Sequence, residues 1–160
     1  MDVMKTPGPD HPIAISANPR RVRALYRGHV IADSADVLML TEASYKPVAY
    51  FPPSDVDMAF LSRTTRDTYC PYKGHAAYFT VMMDGAIAEN AAWTYETPYP
   101  AMSEIAGRVA FFPNAVTIEE SAQVRLGASV DEVVQHTDAG GGASQREHWP
   151  ATISEPPEAG

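Results

Sequence analysis

One cysteine, Cys70, stands in the 160 residues of this chain. That excludes an internal disulfide framework, and any zinc site built within the chain on two or more cysteines. Positive charge is also scarce. Twelve Lys and Arg against 20 Asp and Glu leave a net charge of −8, which argues against a broad basic face for nucleic acid or an acidic membrane. Arg20, Arg21, Arg23 and Arg27 still form one local basic group. Long apolar runs are missing too. The opening MDVMKTPGPDHP holds no signal-type core, and no later stretch is long enough to cross a bilayer. His11, His29 and His75 lack the spacing of metal ligands. The expectation is a soluble cytoplasmic protein with no metal or cofactor, and with no nucleic-acid or membrane partner.

The length suits one domain with a proper core and some extra chain. Residues 1–19 are polar and rich in proline and glycine, and read as an arm. Pattern begins at Arg20, where Val22, Ala24 and Tyr26 alternate with Arg21, Arg23, Leu25 and Arg27, roughly as in a strand. Arg27-Gly28-His29 supplies a turn, and Val30–Ala32, Val37–Leu40 and Val48–Phe51 read as further short strands. After Pro52-Pro53, Ser54-Asp55-Val56-Asp57 reads as a helix start capped by Ser54 and ending by Arg63. Thr64–Tyr69 reads as a polar approach. Ala76–Met83, Asp84-Gly85 and Ala86–Tyr95 form a hairpin signal, with Trp93 and Tyr95 on one face. Pro98–Gly107 reads as a short helix, and Val109–Phe112 and Val116–Glu119 as closing strands. The fold class expected is mainly β: a small antiparallel two-sheet domain over 20–121 with one or two short helices. Residues 122–160 form an extension, with a short helix capped at Ser129 and a flexible tail from 137.

The chemistry concentrates in Cys70-Pro71-Tyr72-Lys73-Gly74-His75-Ala76-Ala77-Tyr78. A thiol, an amine, an imidazole and two phenols within nine residues point to the mouth of a pocket.

Several segments carry a family resemblance. They are Tyr26 with Gly28, Ala32-Asp33-Ser34, Leu40-Thr41-Glu42, Val48-Ala49-Tyr50-Phe51-Pro52 and Asp55-Val56. Thr68-Tyr69-Cys70-Pro71-Tyr72-Lys73-Gly74, Ala77-Tyr78, Trp93 with Tyr95 and Pro98, and Val109–Phe112 complete the set. Between about His11 and Glu119 the chain resembles the domain of unknown function 427 family, which also carries a nucleotidyltransferase-like label. The resemblance implies a β-tent fold and leaves the activity unassigned. Other β-tent proteins hold zinc on paired Cys-x-x-Cys knuckles, which a single cysteine does not supply. Family members frequently carry an arginine after the Tyr-Phe-Pro step, where this chain has Pro53.

Each candidate has two readings. Cys70 is a nucleophile activated by Lys73 or His75, or an inert buried thiol before a proline turn. Lys73 meets an anionic ligand group, or pairs with Glu42 or Asp55 to hold the loop. Glu42, at the end of an apolar strand, is a general base or an anchor for Lys73, Arg23 or a tyrosine hydroxyl. Asp55 and Asp57 match an Asp-x-Asp metal pair only if they lie on a strand, and capping suits them better. Tyr50, Tyr72, Trp93 and Tyr95 are core aromatics or the wall of a site for a flat ligand. The leading expectation joins Glu42, Cys70 and Lys73 as chemical groups with Tyr50, Asp55, Tyr72, Gly74, Trp93 and Tyr95 around an unknown small molecule, anionic or nucleotide-like. The rival is a non-enzymatic interaction module in which the same residues form a hydrogen-bond network. Nucleotidyl transfer stands third.

Overall fold

The computed structural model describes residues 3–124. These residues form ten strands: β1 (Ile13–Ala17), β2 (Arg20–Tyr26), β3 (His29–Ser34), β4 (Leu38–Glu42), β5 (Val48–Tyr50), β6 (Leu61–Cys70), β7 (Gly74–Met83), β8 (Ala86–Thr94), β9 (Val109–Phe111) and β10 (Thr117–Val124). All pairings are antiparallel, in three sheets ordered β1-β4-β5, β10-β2-β3 and β6-β7-β8-β9. The mainly β, antiparallel expectation therefore holds. The sheets are joined by short stitches. Phe51 and Val109 exchange two backbone hydrogen bonds of 2.8 Å, tying the end of β5 to β9. Asp57 N–H donates to Ile31 O at 2.8 Å, and Val56 bridges Ala32.

Two tight hairpins follow from their turn residues. Arg27 and Gly28, and again Asp84 and Gly85, take positive φ at both central positions, as the right-handed strand twist requires.

Period-two alternation divides the interior in two. Along β5 and its extension, Ala49 and Phe51 enter one cluster while Val48 and Tyr50 enter the other. Along β8 and β9, Ala92, Val109 and Phe111 go to the first cluster, and Trp93 and Ala110 to the second. The first is aliphatic in character, built on Val22, Ile31, Val37, Val81, Val116 and Ile118. The second is aromatic: Tyr50, Tyr78, Trp93 and Tyr95 with Leu40, Cys70 and Ile105. Burying each large apolar side chain contributes about 1.5–3 kcal/mol before chain entropy is set against it.

Several elements differ from expectation. Residues 54–63 do not make a helix. Pro53–Asp55 and Met58–Phe60 are single 3-10 turns separated by extended Val56, and neither has a side-chain cap. Pro53 fixes the first turn, while Val56 leaves it to bridge β3, so helical bonding never propagates. The Pro98–Gly107 segment is likewise a 3-10 run, Pro100–Ile105, broken at Met102. The polar stretch Thr64–Tyr69 belongs to β6, an edge strand whose exposed polar side chains mask it. The arm contains β1, whose Ile13 and Ile15 pack beside the aromatic cluster. The expected helix capped at Ser129 and the tail from 137 lie outside the described residues.

Candidate functional site

The β6–β7 turn and the end of β4 build the site. Gly74 opens β7 at φ +108°, a backbone conformation that side chains rarely adopt. A Cβ there would meet Thr97 O at 3.6 Å and Pro98 Cα at 3.7 Å, which is ordinary contact, so the dihedral sets the requirement. Lys73 N–H donates to Cys70 O at 3.2 Å and Lys73 O accepts from Tyr99 N–H at 3.1 Å. This fixed turn drives the Lys73 side chain inward until the residue is only 2% exposed.

Glu42, 5% exposed, receives it. Lys73 Nζ donates to Glu42 Oε1, and His11 Nε2 lies 2.7 Å from Glu42 Oε2. Each carboxylate oxygen thus has its own cationic or polar partner, as a buried charge demands. Burial alone would push the Glu42 carboxyl up. The Lys73 ammonium and the hydrogen bonds from Lys73 and His11 outweigh it, and hold it below the ordinary carboxylate value. Lys73 Nζ also sits 5.9 Å from the Tyr95 ring centroid, over its face.

His11 is the outward end of the cluster, its side chain 27% exposed. Its ring stacks on Tyr72 at 4.1 Å and 11°. The arm that carries it is bound across the turn: Lys5 N–H donates to Pro71 O at 2.7 Å, and Ala43 N–H to Pro12 O at 2.8 Å. The Tyr69 hydroxyl donates to Val3 O at 2.5 Å.

The sequence-derived residues divide into three groups. Glu42, Tyr72, Lys73 and Gly74 come together with His11. Cys70, Tyr50, Trp93 and Tyr95 lie beneath them as buried members of the aromatic cluster. Trp93 Nε1–H donates to the Tyr50 hydroxyl at 3.2 Å. Burial pushes the Tyr50 hydroxyl above the ordinary phenol range; the Trp93 hydrogen bond works against this and nearby Glu42 adds to it. Burial raises the Tyr95 hydroxyl in the same way. Asp55 stands apart. It accepts the Ser34 hydroxyl at 2.7 Å, and Ser34 Oγ accepts Asp36 N–H at 2.9 Å, so this carboxylate fastens a turn to β3. Asp57 precedes the Met58–Phe60 turn. Among the described residues no three His, Cys, Asp or Glu side chains are grouped as metal ligands.

Two surface cavities of about 350 and 340 Å3 are lined by other residues, one near Arg66 and Phe112, one near Phe60 and Ile87. Neither includes Glu42, Lys73 or His11. Residue burial and hydrogen bonding mark the Glu42 cluster as unusual.

His11 is the member that sequence reasoning missed. Its signal was the Ile13–Ile15 alternation two residues on, which makes β1 and pairs Ile13 with Glu42. Proline and glycine around it hid that strand.

A family profile described as Domain of unknown function (DUF427) matches residues 14–122. The chain belongs to this family. The match covers Glu42 and the whole Cys70–Gly74 turn, whereas His11 lies just before it. Comparison with curated proteins gives no match. No helix among the described residues is long and apolar enough to cross a membrane.

Proposed function

We propose that this DUF427 domain binds a small molecule at the outer face of the Glu42–Lys73–His11 cluster, with His11 as the group that meets it. One observation carries the reading: an ionised, buried carboxylate is held by Lys73 through one oxygen and tethers a part-exposed imidazole through the other. In the neutral ring, Nε2–H donates to Glu42, which leaves Nδ1 as the acceptor. A ligand N–H or O–H donates there, and Tyr72 supplies a flat wall. Lys73 acts through Glu42. Cys70 and the buried tyrosines support the cluster from below. The lowered Glu42 carboxyl supports a binding role, because perturbed carboxylates cluster at functional sites and apolar side chains often serve a scaffold as well as a buried ion pair does.

The test is ligand-observed NMR over a panel of small carboxylates, phosphates and uncharged heterocycles, comparing wild type with His11→Ala. The proposal expects at least one compound class to bind the wild type and to be lost from the variant. Identical binding profiles for the two proteins would end it.

A second reading, an interaction module with the cluster as its internal brace, is favoured by the depth of Lys73. The two readings part on simultaneous replacement of Glu42 and Lys73, which only a brace makes costly.

A further inference from the structure

A second place on the surface gathers polar chemistry independent of Glu42. The cavity of about 350 Å3 between β6, β8 and the turn after β9 is lined by Arg66, Glu89, Asn90, Phe112 and Asn114 around small alanine side chains. Its volume falls in the range of small-ligand sites, about 300–1,000 Å3.

Its donors are aimed by their neighbours. The Arg66 guanidinium lies 4.5 Å above the ring centroid of buried Tyr78. This cation–π contact anchors the guanidinium, whose forked N–H groups match a carboxylate. Asn90 takes φ +51° inside a strand, where β7 and β8 shift register between Phe79 and Val81. Two threonines hold it there. Its backbone N–H donates to Thr80 Oγ1 at 3.2 Å, and the Thr64 hydroxyl donates to its Oδ1 at 2.7 Å. With that oxygen accepting from Thr64, the side chain still has two amide N–H donors to offer a ligand.

The remaining walls define the rest of the ligand. Phe112, half-buried, packs on Trp93 at 4.4 Å between centroids, which fixes its ring. The alanines leave room for a flat group beside it. Glu89 on the same wall opposes a second negative charge.

We propose that this cavity binds a planar aromatic monocarboxylate, its carboxylate on Arg66 and Asn90 and its ring against Phe112. The experiment is amide NMR titration with benzoate, benzamide and phenyl phosphate against wild type, Arg66→Gln and Asn90→Gly. Arg66 is exposed, and glycine adopts the Asn90 dihedral without strain, so the fold survives both changes. Expected are benzoate-induced shifts at Arg66, Asn90, Ala91 and Phe112. Benzamide and phenyl phosphate should bind roughly tenfold or more weakly, and each variant should weaken benzoate by a similar factor. Equal binding of benzoate and benzamide, shifts that persist in both variants, shifts confined to other residues, or no shifts at all would each overturn the proposal.

Discussion

The two interior clusters of this domain are made from the same strands but from different chemistry. The aliphatic cluster joins β2, β3 and β10 to the inner residues of β5 through β9, using Val, Ile, Ala and two phenylalanines in edge contact, Phe51 and Phe111 at 5.6 Å. The aromatic cluster sits on the opposite side of the alternation and is polar at its margin: Trp93 bonds Tyr50, and Glu42 and Lys73 are interred beside Tyr95. The first is what a fold needs. The second has a buried ion pair at its margin, of the kind that well-packed apolar side chains often replace at no cost in stability, and the proposed binding site lies there.

Truncation should expose that division. The largest loss is expected for Phe51→Ala, fully buried at the seam of two sheets, at about 4 kcal/mol from lost transfer energy plus the cavity left behind. Lys73→Ala should cost about 3 kcal/mol for another reason: it strands the Glu42 carboxylate in a dry site. Urea denaturation separates the causes. The Lys73→Ala loss should shrink at low pH, where Glu42 is protonated, and the Phe51→Ala loss should not.

A smaller effect follows in the parent protein. Glu42 has a folded value held below the ordinary 4.5, so its contribution is complete above that pH and is lost as pH falls through the lower folded value. Midpoints of urea unfolding between pH 6 and 3 should fall with acid, and the Glu42→Gln variant should show a shallower fall. An equal slope in both proteins would remove Glu42 as a source of the acid sensitivity.

How much of this was legible follows the kind of signal each element carries. Strands with one face buried declare themselves by alternation, as in Val22, Ala24 and Tyr26, and Asp84-Gly85 marks its hairpin because only some residues accept its dihedrals. The Glu42–Lys73 pair was readable as one of a few options, since a carboxylate ending an apolar strand needs a partner. Which partner was a question of tertiary geometry 31 residues away. The stretch after Ser54 misled because capping residues and first-turn acids also suit a 3-10 turn, and the bridge from Val56 to β3 decided between them. β6 hid because an edge strand shows polar residues on both faces. His11 hid because its importance rests on β1 lying against β4, a pairing that no local pattern reveals.

The measurement closest to the central claim is the stability of Glu42→Leu and Lys73→Met combined, beside each single variant, by urea unfolding at neutral pH. If the pair is kept for binding, each single change is strongly destabilising while the double variant lies within about 1 kcal/mol of the parent, because an apolar pair of similar volume replaces it. A double variant that loses as much as the two singles together would contradict the account and make the pair a brace of the fold.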